Sequence, residues 1–377
     1  MMRLRLVLFF TPFSMLELHE PTLLIDESKV EYNIQSLVDK MDDIHYFRPH
    51  FKTHQSRYIG QIFKRLGITK ICVSSMKMAQ YFHAVGWDDI TIAFPFNIHQ
   101  IDALNQLAQT CRVQVLVESL ETIRFLQRQL NTAVEILIKM DAGYGRAGIN
   151  YTEVVQVIEM AKCCQQSTHT PFMGLLAHFG NTYGVSSSAE VLSIYQTSLD
   201  RLIQVKAHIE GHGISCLLSI GDTPSSSCLV KFNNHIEYRP GNFVYYDVMQ
   251  ASNKMCSYDQ IACVVACPIV AIHPDKSECV IHGGAVHFSK EFITNGQNEA
   301  VFGVVANQLG NDVWNGICEQ ASLRRISQEH GILQGTAEWI GKRYIGEWVY
   351  IYPIHSCLTV HAMRKAINTS GLPIDIM

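Results

Sequence analysis

From about residue 44 the chain alternates short apolar runs with amphipathic stretches. The runs read "IHYFRPH", "KICVSS", "ITIAF", "VQVLVES", "EILIKM", "MGLLAHF", "CLLSIG" and "HIEYRPG", and between most of them lie helical patterns such as "YTEVVQVIEMAKCCQQ". Aliphatic and β-branched residues on both faces of a short run predict strands covered on both sides, and helical crossovers between them predict a parallel sheet. Eight such units over about 200 residues fit an α/β fold of the (β/α)8 barrel type. An open doubly wound sheet has the same periodicity.

After about residue 250 the texture changes. "IACVVACPIVAIHP", "ECVIHGGAVHFS", "VFGVVANQ" and "EWVYIYPIHSCLTVHAM" read as strands without long helices between them, which predicts a smaller β-rich C-terminal domain. The early run "TLLID", near residues 22–26, precedes the barrel runs and is a candidate member of that domain. The opening "MMRLRLVLFFTPFSM" has two arginines and a short apolar run, but no small-residue cleavage site and too little length to span a membrane. The expected organisation is a leader or mis-called start over 1–15, a barrel domain over 16–248 and a β-rich domain over 249–377.

Composition narrows the setting. Of 377 residues 47% are apolar, ample for a buried core, and the net charge of -4 comes without any Lys/Arg run that would read as a nucleic-acid footprint. The twelve cysteines are irregularly spaced, with Cys163 and Cys164 adjacent, and mostly sit inside apolar runs. Reduced, buried thiols in a cytoplasmic protein are expected rather than a disulfide framework.

If the eight runs are barrel strands, functional residues collect just after their C-terminal ends. Run one ends in "RPHFKTH", which places Arg48, His50, Lys52 and His54 within seven residues. Neighbouring cations and partial desolvation would leave Lys52 a neutral, nucleophilic amine suited to Schiff-base chemistry, whereas alone it would read as a solvated basic turn. After run seven come Gly221, Thr223, Ser225, Ser226 and Ser227, and after run eight Gly241 and Asn242. These offer N–H groups and hydroxyls where barrels commonly bind phosphate. A lysine opposite a phosphate cradle is the minimal layout for pyridoxal 5'-phosphate.

Two further motifs carry chemistry. "GYGRAG" (Gly143, Gly145, Gly148) has the form of the dinucleotide fingerprint. The following strand supplies no acidic residue for a ribose, and Arg146 would crowd the backbone approach that the motif serves. Arg146 is instead a candidate donor to the cofactor ring, or an ion-pair partner of Asp141. Near the C-terminus, "YIYPIHSCLTVHAM" read as a strand points His355 and Cys357 at one spot, an imidazole–thiolate pair of zinc type. The plainer alternative is two half-buried strand residues.

Together these residues resemble the family of D-serine dehydratases and D-threonine aldolases, which share the alanine-racemase-like barrel. The matching segments are "PTLLIDESKVEYNI", "RPHFKTH", "IKMDAGYGRAGI", "AHFGNTYG", "SIGDTPS", "EYRPGNFVYYD", "SQEHG" and "PIHSCLTV", in order along nearly the whole chain from about residue 20. The resemblance implies that Lys52 is the Schiff-base lysine, that His50, Arg146, His178 and Tyr183 contact the cofactor, and that Gly221, Thr223, Gly241 and Asn242 hold its phosphate. It also makes His355 and Cys357 ligands of Zn2+ or another divalent metal. Ile354 departs from the family's usual asparagine, which leaves the ligands intact but alters the local turn.

The activity so implied is a lyase acting on a small β-hydroxy D-amino acid. A dehydratase converts D-serine to pyruvate and ammonia, and an aldolase cleaves D-threonine to glycine and acetaldehyde. Cys357 favours the dehydratase, because a thiolate suits zinc while the aldolases' His-x-Asp pair suits a harder ion. A racemase would need a second base on the opposite face. A non-catalytic carrier of the cofactor would need Lys52 and the cradle, but neither the β-rich domain nor the His355–Cys357 pair. A homodimer is expected, with a small-molecule substrate and neither nucleic acid nor membrane as partner.

Overall fold

The computed structural model describes residues 17–307 and 314–377, so the leader expected over 1–15 lies outside the described residues. The described chain forms two compact units. One comprises 31–245 and 250–256 with 377; the other comprises the residues up to 30, 246–249 and 257–376.

In the first unit the strands Ile71–Val73, Asp89–Pro95, Arg112–Val117, Glu135–Asp141, Phe172–Ala177, Leu217–Ile220 and Ile236–Tyr238 lie side by side in that order, each parallel to the next. The extended segment 47–50 closes the ring, because Phe47 bridges Tyr238 and His50 bridges Cys72, both in parallel. Arg48 N–H donates to the Tyr238 carbonyl at 2.9 Å and Phe51 N–H to the Cys72 carbonyl at 2.8 Å. All eight expected runs therefore occupy barrel positions, and the open sheet is excluded.

Local chemistry starts the outer helices. Ser56, Ser75, Ser119 and Ser187 each precede a helix, and each hydroxyl accepts the N–H three residues on. That satisfies one of the amides a helix start leaves without a partner. On both faces of the strand Glu135–Asp141, Ile136, Leu137, Ile138 and Met140 are fully buried, as a strand covered on both sides requires. At the end where the strands begin, a charged network replaces apolar packing. Buried Arg48 holds Glu237 at 2.7 Å and Asp89 at 2.5 Å, Lys70 reaches Glu237 at 2.9 Å, and Arg112 joins Asp89 and Glu135.

In the second unit six antiparallel strands close on themselves in the order Cys263–His273, Glu278–His282, His330–Gly335, Ile317–Ile326, Gly303–Ala306, Trp348–Pro353 and back to the first. Thr22–Ile25 adds to Cys263–His273 and pairs in parallel with Lys365–Asn368, so the early run does belong to this sheet. The segment containing His355 and Cys357 differs from expectation. Its strand ends at Pro353, and His355 is the N-cap of a helix, Ser356–Met363. No disulfide forms among the described cysteines, and no described helix is long and apolar enough to cross a membrane.

Candidate active site

The turn after the first barrel segment is pinned by Phe51. Its ring lies fully buried, 4.9 Å from Phe63, 4.9 Å from Phe82 and 5.0 Å from Trp87 between centroids. With Phe51 inward, Lys52 projects outward and is exposed, so the desolvation expected of its amine is not found. The basic cluster also separates. Arg48 serves the charged network at the far end of the barrel, and buried His54 packs on Phe51 at 4.3 Å and stacks on Phe63. Only His50 remains with Lys52, its Nδ1 accepting the Lys52 N–H at 3.3 Å. Burial, then the charges of Lys52 and Arg239 and the neighbouring His178 and His54, hold the His50 imidazole neutral, well below its ordinary range.

The loop after Glu135–Asp141 is organised by its last residue. Asp141 Oδ1 accepts N–H bonds from Gly143 and Tyr144 at 2.9 Å and from Gly145 at 3.1 Å. Burial raises the proton affinity of Asp141, but these amides outweigh it and keep the carboxylate ionised. The carboxylate is thus committed to the loop backbone. Arg146 lies exposed, its guanidinium 5.4 Å from the centre of the Tyr144 ring. Gly148 needs no nucleotide to explain it: its φ is +112°, and a Cβ there would lie 2.5 Å from the Met140 carbonyl carbon.

Three loops converge beyond it. His178 Nδ1–H donates to the Gly221 carbonyl at 2.5 Å, which leaves Nε2 as the bare nitrogen of a neutral ring. Burial pushes His178 down to about 3 despite that bond, with Arg146, Lys52 and Arg239 adding to the effect. The Tyr183 phenol accepts the Thr223 N–H at 3.1 Å. Asp222 is the N-cap of Thr223–Cys228; its Oδ1 accepts Ser225 N–H at 2.6 Å and the Thr182 hydroxyl at 3.0 Å. Burial raises its pKa to about 6, opposed by those bonds.

The hydroxyl oxygen of Thr223 is buried and has no hydrogen-bond partner among the described residues. Buried polar groups rarely stay unpaired without a ligand or water to meet them. The backbone here is closely packed. A Cβ at Gly221 would lie 2.6 Å from the Arg239 carbonyl oxygen, and one at Gly241 2.9 Å from the His50 carbonyl oxygen. Asn242 is buried alongside. A buried unpaired hydroxyl, glycine-lined backbone and a nearby primary amine fit a phosphorylated aldehyde such as pyridoxal phosphate.

Sequence reading missed two cations here. Arg239, buried, donates Nε–H to Ser219 Oγ at 2.8 Å and Nη2–H to the Ala177 carbonyl at 2.7 Å. Lys139 donates to the Met140 carbonyl at 2.9 Å and is lowered to about 8, first by burial and then by Arg239 and Arg146. Their signal was present: each charge interrupts a run otherwise suited to a barrel strand.

In the other unit, His355 Nδ1 lies 3.3 Å from Asp247 Oδ2, and that carboxylate oxygen accepts the Ser356 N–H at 3.0 Å. Burial opposes charge on His355, but Cys357 and Asp247 prevail and raise it to about 11. The pair thus meets across a helix start rather than along a strand. An imidazole beside a thiol, with a buried carboxylate behind the imidazole, fits a zinc-class ion. Asp247 was missed; the one charged residue in "NFVYYDVM" was its only trace.

Residues 25–248 match the family model described as alanine racemase, N-terminal domain, and residues 262–368 match a putative serine dehydratase domain. The D-threo-3-hydroxyaspartate dehydratase of Delftia sp. (strain HT23) is 26% identical over 361 residues, covering 92% of this chain and 93% of that protein. The D-serine dehydratase of Dictyostelium discoideum is 26% identical over 374 residues, covering 91% of each. Among solved structures, a C-to-A mutant of D-threo-3-hydroxyaspartate dehydratase in its metal-free form shares the fold, with a TM-score of 0.89 at 22% identity over 97% of this chain and 99% of the other.

Proposed function

Because the chain belongs to the alanine racemase N-terminal domain family and carries a putative serine dehydratase domain after it, we propose that it is a pyridoxal-phosphate- and metal-dependent lyase that removes water from small β-hydroxy D-amino acids, D-serine foremost. The products are a 2-oxo acid and ammonia. The observation that carries this reading is the buried Thr223 hydroxyl, unpartnered among the described residues, in the barrel that bears Lys52. The His355–Cys357 pair narrows it further. The names of the Delftia and Dictyostelium relatives share one substrate chemistry, a hydroxyl on Cβ of a D-amino acid.

Lys52 would hold the cofactor through Nζ, and its amine would be the base for the proton on the substrate Cα. Thr223, Ser225, Gly221, Gly241 and Asn242 hold the phosphate, and Tyr183 fixes the Thr223 backbone. Arg146 donates to the phenolate oxygen of the ring. His50 and His178 are neutral, so they offer hydrogen bonds without adding cations beside Lys52. Bound in this site, the cofactor supplies a sink for the electrons left on Cα. His355 and Cys357 hold the metal, with Asp247 orienting His355; a zinc ion there supplies a Lewis acid for the departing β-hydroxyl. Cys357 favours zinc and hence the dehydratase over the aldolase.

The test is a panel of D-serine, D-threo-3-hydroxyaspartate and D-threonine, with metal-loaded and chelated enzyme. Metal-dependent release of ammonia with a 2-oxo acid is expected. Glycine plus an aldehyde would replace the dehydratase by the aldolase, and no turnover by cofactor-loaded enzyme would refute both.

A further inference from the structure

The motif "SQEHG", residues 327–331, has no part in either site described above. In the β-rich unit its turn is strapped to residues 283–286 by main-chain bonds. Gly283 N–H donates to the Glu329 carbonyl at 2.8 Å, Ala285 N–H to Ser327 at 2.7 Å, and Val286 N–H to Gln328 at 3.2 Å. The two segments touch so closely that a Cβ at Gly284 would lie 2.4 Å from the Ser327 carbonyl oxygen. One at Gly331 would lie 2.4 Å from the Gly283 carbonyl oxygen.

That close fit brings three side chains from separate elements to one place. His282 ends the strand Glu278–His282, His287 lies on the short helix Ala285–Phe288, and Glu329 sits on the strapped turn. One donor atom from each lies within 4.8 Å of the other two. His282 Nε2 is 3.5 Å from Glu329 Oε2. Ligand bonds of about 2.0–2.2 Å around a tetrahedral ion separate neighbouring donors by roughly 3.4 Å, so this edge of a coordination sphere is already set.

We propose that His282, His287 and Glu329 form a second divalent-cation site, of zinc class, with two nitrogens and one oxygen as donors and no sulfur. Two imidazoles and a carboxylate leave a position for water on the exposed side, where the His282 and Glu329 side chains are 44% and 48% accessible. One local adjustment is required. Gly284 N–H donates to His287 Nδ1 at 3.1 Å, so coordination through Nε2 moves the ring proton to Nδ1 and breaks that contact. The ion would pin the "SQEHG" turn to the His282–His287 segment, in addition to the main-chain straps.

The full-length, cofactor-loaded chain is reconstituted with Co2+ and its bound metal counted by elemental analysis. The near-ultraviolet thiolate-to-cobalt band reports Cys357 separately. Glu329→Gln and His282→Asn should each lose one ion per chain and keep that band, while Cys357→Ala should lose the band and keep an ion. Circular dichroism and cofactor absorbance matching the parent show that each variant is folded. An unchanged ion count in both Glu329→Gln and His282→Asn overturns the proposal, as does loss of the thiolate band together with the ion. The count stands apart from turnover, so failure of the lyase reading leaves it intact.

Discussion

The amide of Thr223 donates to the phenol of Tyr183 at 3.1 Å, which ties the loop after Leu217–Ile220 to the loop after Phe172–Ala177. Removing that phenol should loosen the phosphate cradle without unfolding the barrel. A typical hydrogen bond contributes about 0.5–1.5 kcal/mol net, so Tyr183→Phe should weaken pyridoxal phosphate binding roughly two- to tenfold. Fluorescence titration of the cofactor-free protein measures this. An affinity equal to the parent's would remove Tyr183 from the cradle.

Gly221 has no room for a side chain, because a Cβ would stand 2.6 Å from the Arg239 carbonyl oxygen. Overpacking of this kind costs about 1–3 kcal/mol. Gly221→Ala should therefore lower the unfolding free energy measured by urea titration by that amount and weaken cofactor binding, since the Gly221 carbonyl also orients His178.

Asp222 links the cradle to pH. Its carboxyl is buried and raised from 3.8 to about 6, so the folded state binds its proton more tightly than the unfolded chain does. Its contribution to stability is full below about pH 4 and is lost as pH rises through about 6, a swing of about 3 kcal/mol. Asp222→Asn keeps the acceptor for Ser225 and Thr182 but cannot ionise. Stability curves of the cofactor-free parent and variant should diverge between about pH 4 and 6, the parent losing ground. Parallel curves would show that Asp222 does not carry the effect.

Lys52→Ala should abolish the visible band of amine-bound pyridoxal phosphate and any D-serine turnover, while phosphate-cradle binding persists. Far-ultraviolet circular dichroism should stay the same, because Lys52 is exposed and Phe51 holds the turn. A visible band that persists in Lys52→Ala and is removed by borohydride would place the anchoring amine elsewhere.

Asp247 stands behind His355, at 3.3 Å, while holding the Ser356 amide at 3.0 Å. Loss of such an outer partner typically lowers metal affinity 10- to 100-fold. Asp247→Asn, which keeps an acceptor for Ser356, should raise the metal concentration needed for half-maximal activity by about that factor. Cys357→Asp should shift the preferred ion from zinc toward manganese. Metal titrations of activity check both.

The barrel was legible in the chain because its period is local. Eight two-sided apolar runs separated by helical patterns admit few arrangements, and only the pairing of 47–50 with both Tyr238 and Cys72 was needed to choose closure. Lys52, Thr223 and the glycines 221 and 241 were legible for the same reason, as each follows directly on a run. The cluster Arg48, His50, Lys52, His54 was misleading: four similar residues in one short stretch serve the charged end of the barrel, the mouth, the solvent and an aromatic core. His355 and Cys357 were placed together for the wrong reason, because nothing local announces that the strand stops at Pro353 and a helix begins.

The sequence by itself determined the alternation of elements and the types of donor available. Only tertiary structure decided which of those donors are buried, which are already paired, and which wait for a ligand. The Asp247–Ser356 bond spans 109 residues, Arg239–Ala177 spans 62 and Asp222–Thr182 spans 40. Burial and hydrogen-bond satisfaction are properties of segments brought together by folding. Lys52 could thus be named as a candidate from its neighbours in the chain, whereas the unpaired hydroxyl of Thr223 and the carboxylate of Asp247 depend on how distant segments pack.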